Sequence, residues 1–114
     1  AEAVATGRTI VDGRVAGPVA RTVDGDLSGV PAGAVLVLPA EFDGELTGEM
    51  DRVAAIVDAR PGMTGYPALV ARELDVPMVS GAPLPDRVAA GDLVTLHAGR
   101  GVVYEGDVIR DDSR

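Results

Sequence analysis

Apolar residues in this chain gather into short unbroken runs rather than long amphipathic stretches. "AVLVLP" (Ala34 to Pro39), "AAIVDA" (Ala54 to Ala59) and "VPMVSG" (Val76 to Gly81) each have the length of one strand. A continuous run of that length, rich in Val, Ile and Leu, predicts a strand buried on both faces. Upstream, "TIVDGRVAGPVART" (Thr9 to Thr22) alternates β-branched and small residues. It predicts two short strands with a bend at Gly17-Pro18. The polar, turn-rich stretch from Val23 to Gly33 predicts a loop, as does Pro83 to Gly91. Near the end, "DLVTLHA" and "GVVYEG" flank "GRG" (Gly99 to Gly101) and predict a hairpin.

One segment carries the helical period. Leu69, Val70 and Leu74 give an apolar face at a spacing of 3.6, with Thr64 as the expected N-cap and Pro67 in the first turn. Glu41 to Val53 is ambiguous; its charges and two glycines suggest a short helix with frayed ends. Residues 1–8 show little pattern and read as a linker remnant, and 107–114 read as a charged tail. The domain is therefore expected over 9–106. The chain opens at Ala1 without an initiator Met, as a piece of a longer or processed chain would. Short βα units in the middle and β pairing at both ends place the fold in the α/β class, as one compact sandwich.

Composition narrows the chemistry. The 114 residues suffice for one core and not two. Phe42, Tyr66 and Tyr104 are the only aromatics, so the core is expected to be aliphatic. With no cysteine, disulfides, thiolate metal sites and cysteine nucleophiles are excluded. No run reaches the length of a membrane span and no signal-peptide pattern opens the chain, so a cytoplasmic location is the default. The formal net charge is −8, and all ten basic residues are Arg. Such a surface repels phosphate backbones, which argues against nucleic acid as a partner. The missing lysine fits a GC-rich genome or a salt-loving cytoplasm, and acidity beyond codon bias favours the second. His97 is the only histidine and is expected at the surface beside the hairpin turn. One His without Cys does not suggest a zinc site. Asp24 to Asp26 lack the further ligands of a calcium loop, and Asp111-Asp112 fall in the tail.

Four stretches carry a resemblance. "GRVAGPVART", "AGAVLVLPA", "MTGYPALVARELDVPMVSG" and "AAGDLVTLHAGRGVVYEG" follow one another in a fixed order from about Thr9 to Gly106. Together they resemble the mobile, phosphohistidine swivelling domain of the phosphoenolpyruvate-utilising enzymes. That group includes phosphoenolpyruvate synthase, pyruvate phosphate dikinase, enzyme I of the sugar phosphotransferase system and an extra C-terminal domain of some pyruvate kinases. The third stretch resembles the family signature T-S-H-x-A-I/L-V-A-R-E-L-x-I/V-P-x-V-x-G. The resemblance implies a swivelling β/β/α-type sandwich with a mixed sheet, short helices and a C-terminal β-hairpin.

It also implies a departure at the reactive position. Aligned on Thr64, Ala71 and Arg72, the family's histidine falls on Tyr66, the preceding serine on Gly65 and the following alanine on Pro67. Imidazole shuttles a phosphoryl group near neutral pH because its pKa is about 6.5, whereas a phenol, at about 10, needs a base beside it. Phosphotransfer is therefore not expected of Tyr66; packing of its ring over the helix start is. No catalytic residue, no metal and no cofactor are expected in this domain. Thr64, Gly65 and Tyr66 remain candidates for weak anion binding at the helix start. Arg72, just over two turns along, is expected in a structural ion pair with neighbouring carboxylates. The implied role is a catalytically silent structural or regulatory module, with a pyruvate kinase appendage as the expected host. The alternative is a phosphocarrier or anion-binding regulatory domain of a synthase- or dikinase-type enzyme. The implied partners are the other domains of a parent enzyme, itself expected to be a homo-oligomer.

Overall fold

The structure is a computed structural model and describes residues 2–109. Among the described residues, eight strands and the helix α1 follow in the order β1 (Ala3–Thr6), β2 (Arg8–Val11), β3 (Arg14–Arg21), β4 (Ala34–Leu38), β5 (Val53–Asp58), α1 (Tyr66–Leu74), β6 (Met78–Ser80), β7 (Leu93–His97) and β8 (Val102–Glu105). They form one mixed sheet, ordered β1-β8-β7-β3-β4-β5-β6-β2. β3 through β6 run parallel, and the remaining pairs are antiparallel.

β3 joins the two halves. From Arg14 to Pro18 it pairs antiparallel with β7, and from Val19 to Arg21 it pairs parallel with β4. Gly17-Pro18, expected to be a bend, lies inside this strand at the change of partner. A proline fits there because it lacks an N–H for the ladder. The glycine fits because a Cβ at 17 would collide with the Gly33 carbonyl. The bend itself falls at Asp12-Gly13, where Gly13 takes φ +145° and donates its N–H to Asp12 Oδ1 at 2.6 Å.

The sheet rolls until its ends meet. β1 and β2 stand at opposite ends of the strand order, yet only Gly7 separates them in the chain. Gly7 N donates to Gly101 O at 2.7 Å, Ala98 N to Gly13 O at 2.8 Å, and Thr9 Oγ1 to Ala98 O at 2.5 Å. The inner face then collects Val19, Val35, Val57, Val79, Leu96 and Val103, one from each of six strands. On the outer face of the parallel strands, Leu36, Ile56 and Met78 pack beneath Ala68 and Ala71 of α1 and beneath Leu27 and Phe42 of the long β3–β5 connections. Alternate residues of β4 thus face two different cores, which is why "AVLVL" is buried throughout. Each fully buried Leu, Ile or Val contributes roughly 1.5–3 kcal/mol relative to exposure.

Several expectations are corrected. Within the stretch expected to be a linker remnant, Ala3–Thr6 forms β1, paired with β8, and Arg8 opens β2. The helix expected over Glu41 to Val53 shrinks to a single 3₁₀ turn, Met50–Arg52. Of the expected tail, Val108 N donates to Thr95 Oγ1 at 3.0 Å. Asp111 and Asp112 lie outside the described residues. The hairpin and the three buried strands lie where their apolar runs predicted.

Candidate functional site

The parallel strands β4, β5 and β6 end in register at Leu38, Asp58 and Ser80, on one edge of the sheet. Ligands in open α/β sheets gather beyond such carboxyl ends. Here the chain leaves β5, crosses that edge through residues 59–65 and enters α1 at Tyr66. All three terminal side chains share the face on which α1 packs, because they continue the alternation of Leu36, Ile56 and Met78.

Gly65, not Thr64, is the N-cap of α1. Its backbone is extended (φ −69°, ψ 168°) and no side chain caps the helix. Thr64 lies one residue outside and is exposed. The expected capping role therefore fails by a single residue, which moves the hydroxyl out of reach of the first turn. Pro67 sits in that turn as expected and supplies no N–H. The first turn carries no acidic side chain, so its free N–H groups present partial positive charge. Ala68 and Ala71 are small and buried, and they seat the helix on the sheet. At the far end Asp75 adopts the left-handed conformation, and Val76 N donates to Ala71 O at 2.9 Å.

Tyr66 projects from the helix start with 37% of its surface exposed, and no hydrogen bond to its hydroxyl forms among the described residues. Met63 and Leu69 are exposed nearby in sequence. Arg72 is exposed and forms no ion pair among the described residues, so the expected pairing is absent. His97 belongs to a different strand from those that end at this edge. It ends β7, paired with Arg14 and Val102, while α1 packs against β2 and β5. It is also buried, not at the surface, and its Nδ1 has no partner among the described residues. The hairpin turn beside it folds back over β2 instead of projecting into solvent.

Two side chains at the strand ends were not singled out in the sequence. Asp58 is buried and accepts the Arg60 N–H at 2.9 Å. Burial pushes its carboxyl above the usual range, and the Arg60 N–H and guanidinium draw it partly back. The Arg60 guanidinium itself is turned to Phe42 O, at 2.5 Å. Phe42, Asp58, Gly65, Ala68 and Met78 line a cavity of about 30 Å³, enough for one water. Ser80 is 1% exposed, and its Oγ lacks a partner. It lines a separate cleft of about 290 Å³ with Gly7, Arg8, Pro61, Gly62 and Gly81. The available signal for both was a polar residue closing an apolar strand run, as in "AAIVD" and "MVS". Among the described residues no three His, Cys, Asp or Glu side chains converge as metal ligands, and no helix is long and apolar enough to cross a membrane.

Comparison with known proteins fits this architecture. The fold resembles a chain of Thermococcus kodakaraensis aconitase X at a TM-score of 0.64 and 22% identity, covering 90% of this chain and 98% of that one. It also resembles enzyme I at a TM-score of 0.55 and 27% identity, over 76% of this chain and 38% of that one. In sequence the chain is 37% identical to phosphoenolpyruvate synthase of Aeropyrum pernix, over 99% of this chain and 15% of the synthase. It is 38% identical to a probable phosphoenolpyruvate synthase of Archaeoglobus fulgidus, over 73% of this chain and 11% of that protein. The chain thus spans a small part of these relatives. They are synthases, and the expected pyruvate kinase host finds no support in them. The family profile for the mobile domain of PEP-utilising enzymes matches residues 30–101, which takes in β4 through β7 and all of α1. With that match, the synthase relatives and the rolled mixed sheet in agreement, the chain belongs to the PEP-utilising enzyme mobile domain family.

Proposed function

We propose that this domain serves a phosphoenolpyruvate synthase-type enzyme as a mobile module that binds a phosphoryl-bearing ligand at the start of α1 without becoming phosphorylated itself. The synthase relatives support the host. The observation that carries the non-covalent role is Tyr66 at the opening of α1, exposed, with its hydroxyl unpartnered among the described residues. A phenol that attacks phosphorus needs a base within hydrogen-bond reach, and among the described residues none is hydrogen-bonded to the Tyr66 hydroxyl. The uncapped N–H groups of the first turn and the absence of acidic side chains in it suit a bound phosphoryl oxygen.

The test uses the full parent enzyme and phosphoenolpyruvate labelled at phosphorus. The expected result is reversible binding that perturbs the amides of Gly65 to Leu69, with no acid-stable label on Tyr66. Stoichiometric phosphotyrosine at that position would establish a carrier and overturn the reading.

A further inference from the structure

We infer that Asp58 is a proton-controlled counter-charge to the start of α1: an oxyanion binding at the helix start is favoured when the Asp58 carboxyl is protonated and opposed when it is ionised. The inference rests on the proposed anion site and adds its regulation. Its geometry comes from one cavity. Asp58, ending β5, lines that cavity from the sheet side; Gly65, Pro67 and Ala68, the cap and first turn of α1, line it from the helix side. At about 30 Å³ it holds one water and no larger ligand, so the oxyanion stays outside, at the exposed Gly65 and Tyr66. The Asp58 side chain is 8% exposed, and its Oδ1 accepts the Arg60 N–H. Its Oδ2 has no partner among the described residues and, unlike Ser80 Oγ, is not sealed from water. Across the cavity the Tyr66 and Ala68 N–H groups find no acceptor among the described residues, and Pro67 has no N–H. Free donors on one wall thus meet an unsatisfied acid on the other.

The surrounding groups leave this carboxyl as the charge that matters. Its ladder neighbours, Leu38 on β4 and Ser80 on β6, are uncharged, as is Met78. The β4–β5 connection contributes Phe42 to the lining, while the flanking Glu41 and Asp43 are exposed. Arg60 is the cation of the lining, with its guanidinium turned to Phe42 O. Arg8, from β2, donates to Met63 Sδ. α1 brings the Tyr66 phenol and no carboxylate in its first turn. Burial already favours the neutral form of Asp58. An oxyanion on the outer side of the helix start adds a like charge nearby and occupies the positive potential of the free N–H groups, so it raises the carboxyl's proton affinity further. Coupling is reciprocal: whatever factor the ligand adds to proton affinity, the proton adds to ligand affinity. Binding therefore strengthens as pH falls through the Asp58 titration and weakens above it.

The test uses the full chain and inorganic sulfate, which keeps both charges across the range and does not titrate itself. Amide-resolved NMR at Gly65 to Leu69 gives the affinity, and the carbon shift of the Asp58 carboxyl follows its protonation directly. Saturating sulfate is expected to move the Asp58 midpoint up by about one pH unit, which corresponds to binding about tenfold tighter at pH 4 than at pH 7. Asp58→Asn is expected to bind at pH 7 about tenfold more tightly than the native chain, with the gap closing towards pH 4. Other carboxylates also lose charge over this range, and the variant subtracts their effect because it keeps all of them. An Asp58 midpoint unmoved by sulfate bound at Gly65 to Leu69 overturns the inference without recourse to the variant. So does a folded Asp58→Asn that binds no more tightly than the native chain at pH 7. Either result leaves the anion site intact. No sulfate response at Gly65 to Leu69 at either pH overturns the proposed site, and the inference with it.

Discussion

Gly7 and Ser80 are locked together: the α-carbon of Gly7 packs against the Ser80 carbonyl with no room for a methyl group between them. On its other side Gly7 donates its N–H to Gly101 O at 2.7 Å, closing the rolled sheet. The obstacle is backbone on both sides and cannot rotate away. Gly7→Ala is therefore expected to destabilise the domain by about 1–3 kcal/mol, the usual cost of overpacking. Chemical denaturation measures this, and a variant as stable as the native chain would show that the ends of the sheet are loosely joined.

Asp58 sets a pH dependence whose sign follows from its burial. Its carboxyl is held above the usual range, chiefly by desolvation. The folded chain then binds that proton more readily than the unfolded chain, so its contribution to stability falls as pH rises from about 3.9 through the raised folded value. Asp58→Asn keeps an oxygen for the Arg60 N–H and removes the charge. The variant is expected to be more stable than the native chain at pH 7, with the gap closing as pH approaches 4. Denaturant midpoints at both pH values test this; a gap that widens on acidification contradicts it.

Thr64 is expected to be dispensable for stability. A true N-cap costs about 1 kcal/mol when replaced by alanine. Gly65 holds that position instead, without any side-chain cap. Thr64→Ala should therefore shift stability by no more than about 0.5 kcal/mol, as an ordinary surface change does. A loss of a full cap's worth would place the threonine hydroxyl on the first turn.

Tyr66→His tests whether an imidazole at this position carries a phosphoryl group. The site is exposed at the helix start, so stability should change by no more than about 0.5 kcal/mol. In the full parent enzyme supplied with labelled phosphoenolpyruvate, acid-labile label is expected on the variant and none on the native protein. Absence of label in a folded variant would mean that more than the imidazole has been lost.

The fold was legible where burial leaves a plain mark. β4, β5 and β6 are apolar on both faces, so their runs stood out, and β7 and β8 were bracketed by glycine. The misreadings share a cause. β1 and the entry to β2 cover only one edge each, and their half-buried residues carry no continuous apolar run. Gly17-Pro18 looked like punctuation because a change of strand partner uses the same residues as a turn. His97 looked exposed because sequence shows the turn but not the strand onto which the turn folds. At the site, the signature located the helix start to within one residue of its cap. Asp58 and Ser80 escaped notice because their meaning lies in register: each is an unremarkable polar residue until adjacent strands end side by side.

β3 has a mechanical consequence. Since one strand supplies hydrogen bonds to β7 along its first part and to β4 along its last, neither half of the molecule can open without unzipping the strand that the other half needs. The domain is thus expected to travel and dock as a rigid body, with amide protons on both sides of Pro18 surrendering to deuterium in a single concerted event.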